Sequence, residues 1–322
     1  MARAQLTLSA AGHAASFAQF LRRRAAREAA DSSTLRDLAA VPLPLPAGLE
    51  LEWLGTAGYR LTYEGCTLLI DPYLSRVPLG DVLRRRVALP DPTLQGPVLD
   101  ADLGQVVGVL VGHTHFDHAI DVPSLARATG APAYGSDSLV RLMALHGLAD
   151  RAVEVEPRRA YELGPFTVTF VPSLHSKLLL GFAVPSDGAL SCEHLDHLSP
   201  GAYKCGGIYG IRVEVGGAVL YHQGSANLID DEVPTGGVDV FLAGIAGRRF
   251  TDDYWPRILR RLDPEVVVAS HFDDFFRPLA APLGFSTNVN LSAFPDEIAE
   301  VSRDIRVAAL APRRTPARER DR

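Results

Sequence analysis

Downstream of Leu49 the chain is built from short apolar runs separated by glycine- and proline-rich breaks, a spacing that predicts strands more often than long helices. LELEWL (Leu49 to Leu54) alternates apolar and acidic residues, which predicts a strand with one buried face. YRLTY and CTLLID flank Glu64-Gly65 and predict a hairpin. VVGVLVG (Val106 to Gly112) is apolar throughout, as for a strand covered on both faces. Helical patterns run from about Asp117 to Thr129 and from Ser138 to His146, closed by Gly130 and Gly147. FTVTFV predicts a further strand, and GIRVEV and AVLYH form a hairpin about Gly216-Gly217. VDVFLAG and EVVVAS flank a helix around Tyr254 to Leu262, and a helix (Pro295 to Arg303) and a strand (Ile305 to Leu310) follow.

Strands concentrated in the first half, with helices interleaved throughout, predict a layered α/β domain with sheets inside and helices outside. That domain covers residues 49–310. Residues 1–48 read as a helical extension. AASFAQFLRRRAAREAA sets Phe17, Phe20 and Leu21 on one side with Arg22 to Arg24 beside them. A helix docked on the main domain accounts for this pattern better than one lying on a membrane, and VPLPLPAG (Val41 to Gly48) is its connector. Residues 311–322, APRRTPARERDR, predict a disordered tail.

Composition narrows the class. Hydrophobic residues make up 47% and charged residues 22%, as in ordinary globular enzymes. A net charge of −6 argues against a non-specific nucleic-acid binder, which needs a basic face. The three cysteines, Cys66, Cys192 and Cys205, do not suggest a disulfide framework. No apolar run is long enough to span a membrane and no secretory leader is evident, so the expectation is a cytoplasmic protein acting on a small molecule.

The chemistry concentrates in GHTHFDHAID, where His113, His115, Asp117 and His118 fall within six positions. Imidazole and carboxylate are ligands for zinc, and imidazole also suits iron. His113 and His115, two apart in an extended turn, can converge on one ion. Asp117 and His118, adjacent at a helix start, point to a neighbouring position. The spacing therefore predicts two subsites side by side.

This run, placed after a buried strand, resembles the His-x-His-x-Asp-His signature of the metallo-β-lactamase-fold hydrolases, and the resemblance extends from about Leu49 to Leu310. WLGTAGYRL, LLIDPYLS, GGIYGIRVE and SHFDDFF are similar to the branch that contains L-ascorbate-6-phosphate lactonase and N-acylphosphatidylethanolamine phospholipase D. The resemblance implies an αββα four-layer sandwich. It implies that His175 in FVPSLHS joins His113 and His115, and that His271 in VVVASHFDD joins Asp117 and His118. Asp71, ending LLID, would orient a ligand histidine, although a strand-end cap explains it equally well. Zn2+ is the implied cofactor, with Mn and Fe left open, and Asp117 is the catalytic candidate that orients water or takes its proton. One position departs from the pattern: LYHQGSANLID has Ser225 where the family places a carboxylate bridging both ions. Without that anion the mutual repulsion of two dications is less compensated, which predicts one tight ion and a weak second.

Other candidates are less specific. Arg248 and Arg249 in AGRRF could fork onto a substrate anion, or could simply be a solvated pair. CEHLDHLSPGAYKC predicts a polar loop over the site, from which His194 or His197 could reach substrate, and its cysteines fit no common zinc ribbon. His222 reads as a packed strand residue. KLLLGF (Lys177 to Phe182), beside His175, leans the substrate toward an acyl or otherwise apolar group. The leading expectation is a metal-dependent hydrolase of an ester, lactone or phosphodiester. The alternatives are a degenerate, non-catalytic binding protein and a mono-iron redox enzyme on the same ligands.

Overall fold

A computed structural model describes residues 24–99, 103–178, 183–287 and 289–311. One sheet holds β1 (Glu50–Gly55), β2 (Gly58–Tyr63), β3 (Cys66–Ile70), β4 (Gln105–Leu110), β5 (Ala133–Gly135) and β6 (Ala152–Glu154), in that order. The second holds β7 (Ala160–Leu163), β8 (Phe166–Pro172), β9 (Tyr209–Val215), β10 (Ala218–Gln223), β11 (Val240–Gly244), β12 (Val266–Ser270) and β13 (Arg306–Ala309), again in order. Each sheet has an antiparallel half made of hairpins and a parallel half, β3 to β6 in the first and β10 to β13 in the second. The helices are α1 (Arg24–Ala39), α2 (Leu79–Leu83), α3 (Gly96–Leu99), α4 (Phe116–Ala119), α5 (Val122–Thr129), α6 (Asp137–Leu145), α7 (Tyr254–Leu262) and α8 (Phe294–Ala299).

Period-two alternation divides the side chains between two cores. Leu68 and Ile70 of β3 and Leu110 of β4 face the other sheet, where they join Phe166, Phe170 and Ile211. Their neighbours Leu69, Val109 and Val111 point outward and are covered by Leu125 of α5 and by Leu139, Leu142 and Met143 of α6. On the far side Trp255, Ile258 and Leu262 of α7 and Phe294 of α8 cover the second sheet. The result is the expected helix–sheet–sheet–helix sandwich.

Several expectations needed correction. The helix expected over Asp117 to Thr129 is two helices, α4 and α5, separated at Ile120 and Asp121. Pro123 lacks the N–H that would bond back across this break. The short strands β5, β6 and β7 escaped the reading because three or four residues carry too little alternation to register. The late helix stops at Ala299 instead of Arg303, and its exit is held by a turn bond from Val301 N to the Ile298 carbonyl. Phe17, Phe20 and Leu21, residues 179–182 of KLLLGF and residues 312–322 lie outside the described residues. No helix among the described residues is long and apolar enough to cross a membrane.

Where it is described, the segment ahead of the sheets packs on them: Leu35 and Leu38 of α1 join the large core cluster, and the buried carboxylate of Asp31 accepts from the Ser292 N–H at 2.7 Å. Asp31→Ala should leave that donor without its partner and cost about 1–3 kcal/mol. The expected outcome is a lower urea midpoint with an unchanged slope. An unchanged midpoint would show that this contact contributes nothing to stability.

Candidate metal centre

The chemical residues converge because the strands that deliver them share a direction. β3 and β4 run parallel in the first sheet, and Asp71 and the His113–His118 run follow their C-terminal ends. In the second sheet β10 and β12 carry Ser225 and His271 beyond theirs, and β8 leads to His175. The two edges are stitched together. Tyr209 N donates to the Gly112 carbonyl at 2.8 Å, and His271 N donates to the Thr56 carbonyl at 2.7 Å. His271 itself takes a left-handed backbone, φ +57°, which is uncommon for a side chain of this kind and is the sort of strain held at functional sites.

Two buried groups of donors stand side by side. His113, His115 and His175 each present a ring nitrogen within 4.8 Å of the others, and Asp117, His118 and His271 form a second such group. The rings of His113 and His118 are 3.9 Å apart between centroids, so the groups are adjacent.

Hydrogen bonds decide which nitrogen of each ring is free. A carbonyl or carboxylate oxygen can only accept, so any ring nitrogen bonded to one must carry the proton. His175 Nδ1 donates to the Ser176 carbonyl at 2.7 Å, and His115 Nε2 donates to the Pro185 carbonyl at 2.9 Å. His118 Nδ1 donates to Asp71 Oδ2 at 2.9 Å. In the neutral ring the opposite nitrogen, His175 Nε2, His115 Nδ1 or His118 Nε2, then carries the lone pair, the state in which imidazole binds a metal. His113 Nε2 lies 3.1 Å from His115 Nδ1, so two ring nitrogens face the same space. In the second group His271 Nε2 is 3.3 Å from Asp117 Oδ2, and His118 Nε2 is 3.8 Å from it.

The electrostatics agree with this donor set. Burial, reinforced by the neighbouring imidazoles, holds His113 well below its usual pKa, and burial is also the main cause that lowers His175 to about 3. Burial lowers His115 to about 4, partly opposed by Asp117. These three rings are therefore neutral at pH 7. Burial works against charge on His118 too, but Asp71 and Asp117 outweigh it and raise its pKa. Burial would raise Asp71 and Asp117, yet both are held below the usual carboxylate range, Asp71 by His118 and His222 and Asp117 by His118 and His271. Neutral imidazoles in one group, with an ionised carboxylate in the other, fit one or two borderline dications.

Residues 67–272 match the beta-lactamase superfamily domain. The chain is 30% identical over 247 residues to a UPF0173 metal-dependent hydrolase of Anaeromyxobacter sp. (strain K), covering 74% of this chain and 79% of that protein. It belongs to the metal-dependent hydrolases of the beta-lactamase superfamily. A second UPF0173 metal-dependent hydrolase, from Cupriavidus taiwanensis, is 29% identical over 276 residues, 80% of this chain and 84% of that one. Among solved structures Igni18, a metallo hydrolase from Ignicoccus hospitalis, superposes with a TM-score of 0.48 at 19% identity, covering 82% and 95% of the two chains.

Within this hydrolase Asp71 is fully buried and receives three donors. Gly112 N bonds its Oδ1 at 2.7 Å, while His118 Nδ1 and His222 Nε2 bond Oδ2 at 2.9 and 3.0 Å. It is therefore more than a strand-end cap. The part played by His222 escaped the sequence reading. The usable signal was a polar side chain in the apolar run AVLY-His222, which obliges a partner when buried. Gly224 is tight here: a Cβ would lie 2.9 Å from Asp71 Oδ2 and 3.1 Å from His118 Cε1. Ser225 accepts from Ser176 N at 3.0 Å and so ties its loop to the one bearing His175.

Arg248 does not remain available as a substrate clamp. It is buried, and its guanidinium donates to both oxygens of Glu297 at 2.5 and 2.9 Å and to the carbonyls of Ile245, Val289 and Asn290. Beneath that segment a buried cation must be fully paired, and pairing leaves it no free donor. Arg249 Nη2 lies 3.8 Å from the same Glu297. His194 and His197 are exposed, and His194 lines a surface depression with Arg141 and Leu145 of α6 that none of the six candidate ligands borders. Leu190, Leu198 and Tyr203 bury themselves in the outer core and turn the histidines of this loop outward. The loop does reach the centre, but through backbone: Pro185 O holds His115, and Cys205 O accepts from Thr114 N at 2.9 Å. Neither Cys192 nor Cys205 joins a metal-like group among the described residues.

Asp71→Asn keeps the shape but turns an NH2 group toward one of three donors. Metal affinity, read by competition with a chromophoric chelator, should fall about 10–100-fold with the circular dichroism spectrum unchanged. Unaltered affinity would show that His118 needs no orientation from Asp71.

Proposed function

We propose that this metal-dependent hydrolase uses Zn2+ held by His113, His115 and His175, beside Asp117, His118 and His271, to cleave an ester, lactone or phosphodiester bond. The observation that carries the reading is the pair of adjacent buried donor groups, in which backbone carbonyls hold one nitrogen each of the neutral His115 and His175 rings and leave the other free. The bond class rests on the similarity of WLGTAGYRL and LLIDPYLS to the lactonase and phospholipase D branch. A dication in this place supplies Lewis acidity and acidifies water at neutral pH. Asp117, ionised and beside His271, holds a water by accepting its proton or hydrogen bond. Asp71 and the Ser176 and Pro185 carbonyls keep the rings from rotating as charge develops.

Elemental analysis of protein purified without added metal should find zinc. Hydrolysis of p-nitrophenyl acetate or bis(p-nitrophenyl) phosphate should vanish on chelation and return with the metal. His113→Ala, His115→Ala and His175→Ala should each fall to background rate and lose most metal. Asp117→Ala and His271→Ala should lose less metal but still turn over slowly. A variant of the first three with full metal and full rate would sink the ligand assignment, and iron without hydrolysis would favour redox use of the same donors.

The number of ions turns on Ser225. A neutral hydroxyl engaged with Ser176 N cannot supply the charge that screens two dications, so the second ion should bind weakly. Dialysis should leave the wild type with about one ion per chain, and Ser225→Asp with about two. Two ions retained by the wild type would mean that another group bridges them.

A further inference from the structure

We propose that the segment from Leu79 to Leu94 is a docking face for the surface of an anionic lipid bilayer. Eight large hydrophobic side chains are exposed among the described residues: Leu79, Leu83, Val87, Leu89, Leu94, Leu174, Ile229 and Leu279. The first five fall within this one stretch of sixteen residues. Scattered exposed leucines are ordinary on a protein surface, but a cluster of them marks a contact surface. Helix α2 sharpens the point, because none of its five residues is buried and Leu83 stands 74% exposed.

The charge pattern selects the partner. Arg84, Arg85 and Arg86 lie in the middle of the apolar residues. Of the nearby acids, Asp81 is paired with Arg86 at 3.0 Å, and Asp91 Oδ1 is engaged by the N–H and hydroxyl of Thr93. Three arginines against the two aspartates leave the stretch with a net charge of +1, on a protein whose total is −6. Apolar side chains that enter the acyl boundary, with arginines at the depth of the phosphates, are the arrangement that holds a protein on anionic lipid. A second copy of this chain would bring the same arginines against one another, which disfavours it.

The face is fixed to the body of the protein and stands near the catalytic edge. Asp121 accepts from Leu74 N, Ser75 N and the Ser75 hydroxyl at 2.6, 2.8 and 2.5 Å. Farther along, Tyr203 donates its hydroxyl to the Ala88 carbonyl at 2.8 Å, and Ala88 N donates to the Leu198 carbonyl at 2.9 Å. Both anchors adjoin the His113–His118 run: Asp121 follows just after α4, and the loop that ends at Cys205 accepts from Thr114 N. Docking here is independent of which bond the centre cleaves.

The test is co-sedimentation of the metal-loaded full chain with phosphatidylcholine vesicles, with and without phosphatidylglycerol. Wild type should bind the anionic vesicles, and added salt should weaken that binding. The Leu79→Glu/Leu83→Glu variant should bind at least about tenfold less. Replacing Arg84, Arg85 and Arg86 by glutamine should cost on the order of a hundredfold and abolish the preference for phosphatidylglycerol. All these positions are exposed, and circular dichroism with retained hydrolysis confirms that the variants fold. No binding by wild type, equal binding to both vesicle types, or undiminished binding by the double glutamate variant overturns the proposal. So does a concentration-dependent dimer in sedimentation equilibrium that the glutamates dissolve, since a second copy would then be the occupant.

Discussion

The carboxylate of Asp71, sealed between the two sheets, is the point on which the rest of the centre depends. It leaves the end of β3 in a left-handed conformation, φ +43°, and collects the Gly112 N–H, His118 and His222. One of those donors comes from the loop after β4 and one from α4, while His222 comes from β10 in the opposite sheet. A buried charge costs a great deal unless it is fully paired, so the three donors and the acceptor hold one another in place. Through them the relative position of the sheets sets the direction in which His118 Nε2 points.

The other candidate ligands obey the same logic with neutral partners. Backbone carbonyls hold the back nitrogens of His115 and His175, and burial keeps both rings uncharged at neutral pH. Their free nitrogens meet in a space that apolar side chains would otherwise have filled. The two groups differ in charge, one of neutral imidazoles and one with the carboxylate of Asp117. Ser225 adds no charge to either, and its hydroxyl accepts from the backbone of Ser176.

Buried cations elsewhere show how context decides the work of a residue. Arg248 was a reasonable anion clamp as one of a pair in a loop, yet the fold uses its donors to fasten Glu297 and three carbonyls. Arg76 is equally buried and is paired with Asp273 at 2.8 Å, and Asp273 in turn holds Thr56 N beside His271. Such pairs contribute little net energy, but breaking one leaves a charge stranded. They act as fasteners for the loops from which the ligands project.

The sequence by itself determined the layered α/β class, most of the longer strands, the density of ligands in HTHFDH and the neutral residue at Ser225. Period-two alternation and local clustering are properties of neighbours along the chain, and they are legible without coordinates. The positions of His175 and His271 relative to that cluster came only by resemblance, because nothing local links residues so far apart. Their convergence required β8 and β12 of the second sheet to end at the same edge as β4 of the first. The division of the expected helix into α4 and α5, the short strands β5 to β7 and the partnership of His222 with Asp71 were decided by tertiary contact alone. So was the fate of Arg248, and for the same reason: hydrogen-bond donors are satisfied by whatever the fold brings within about 3 Å, irrespective of distance along the chain.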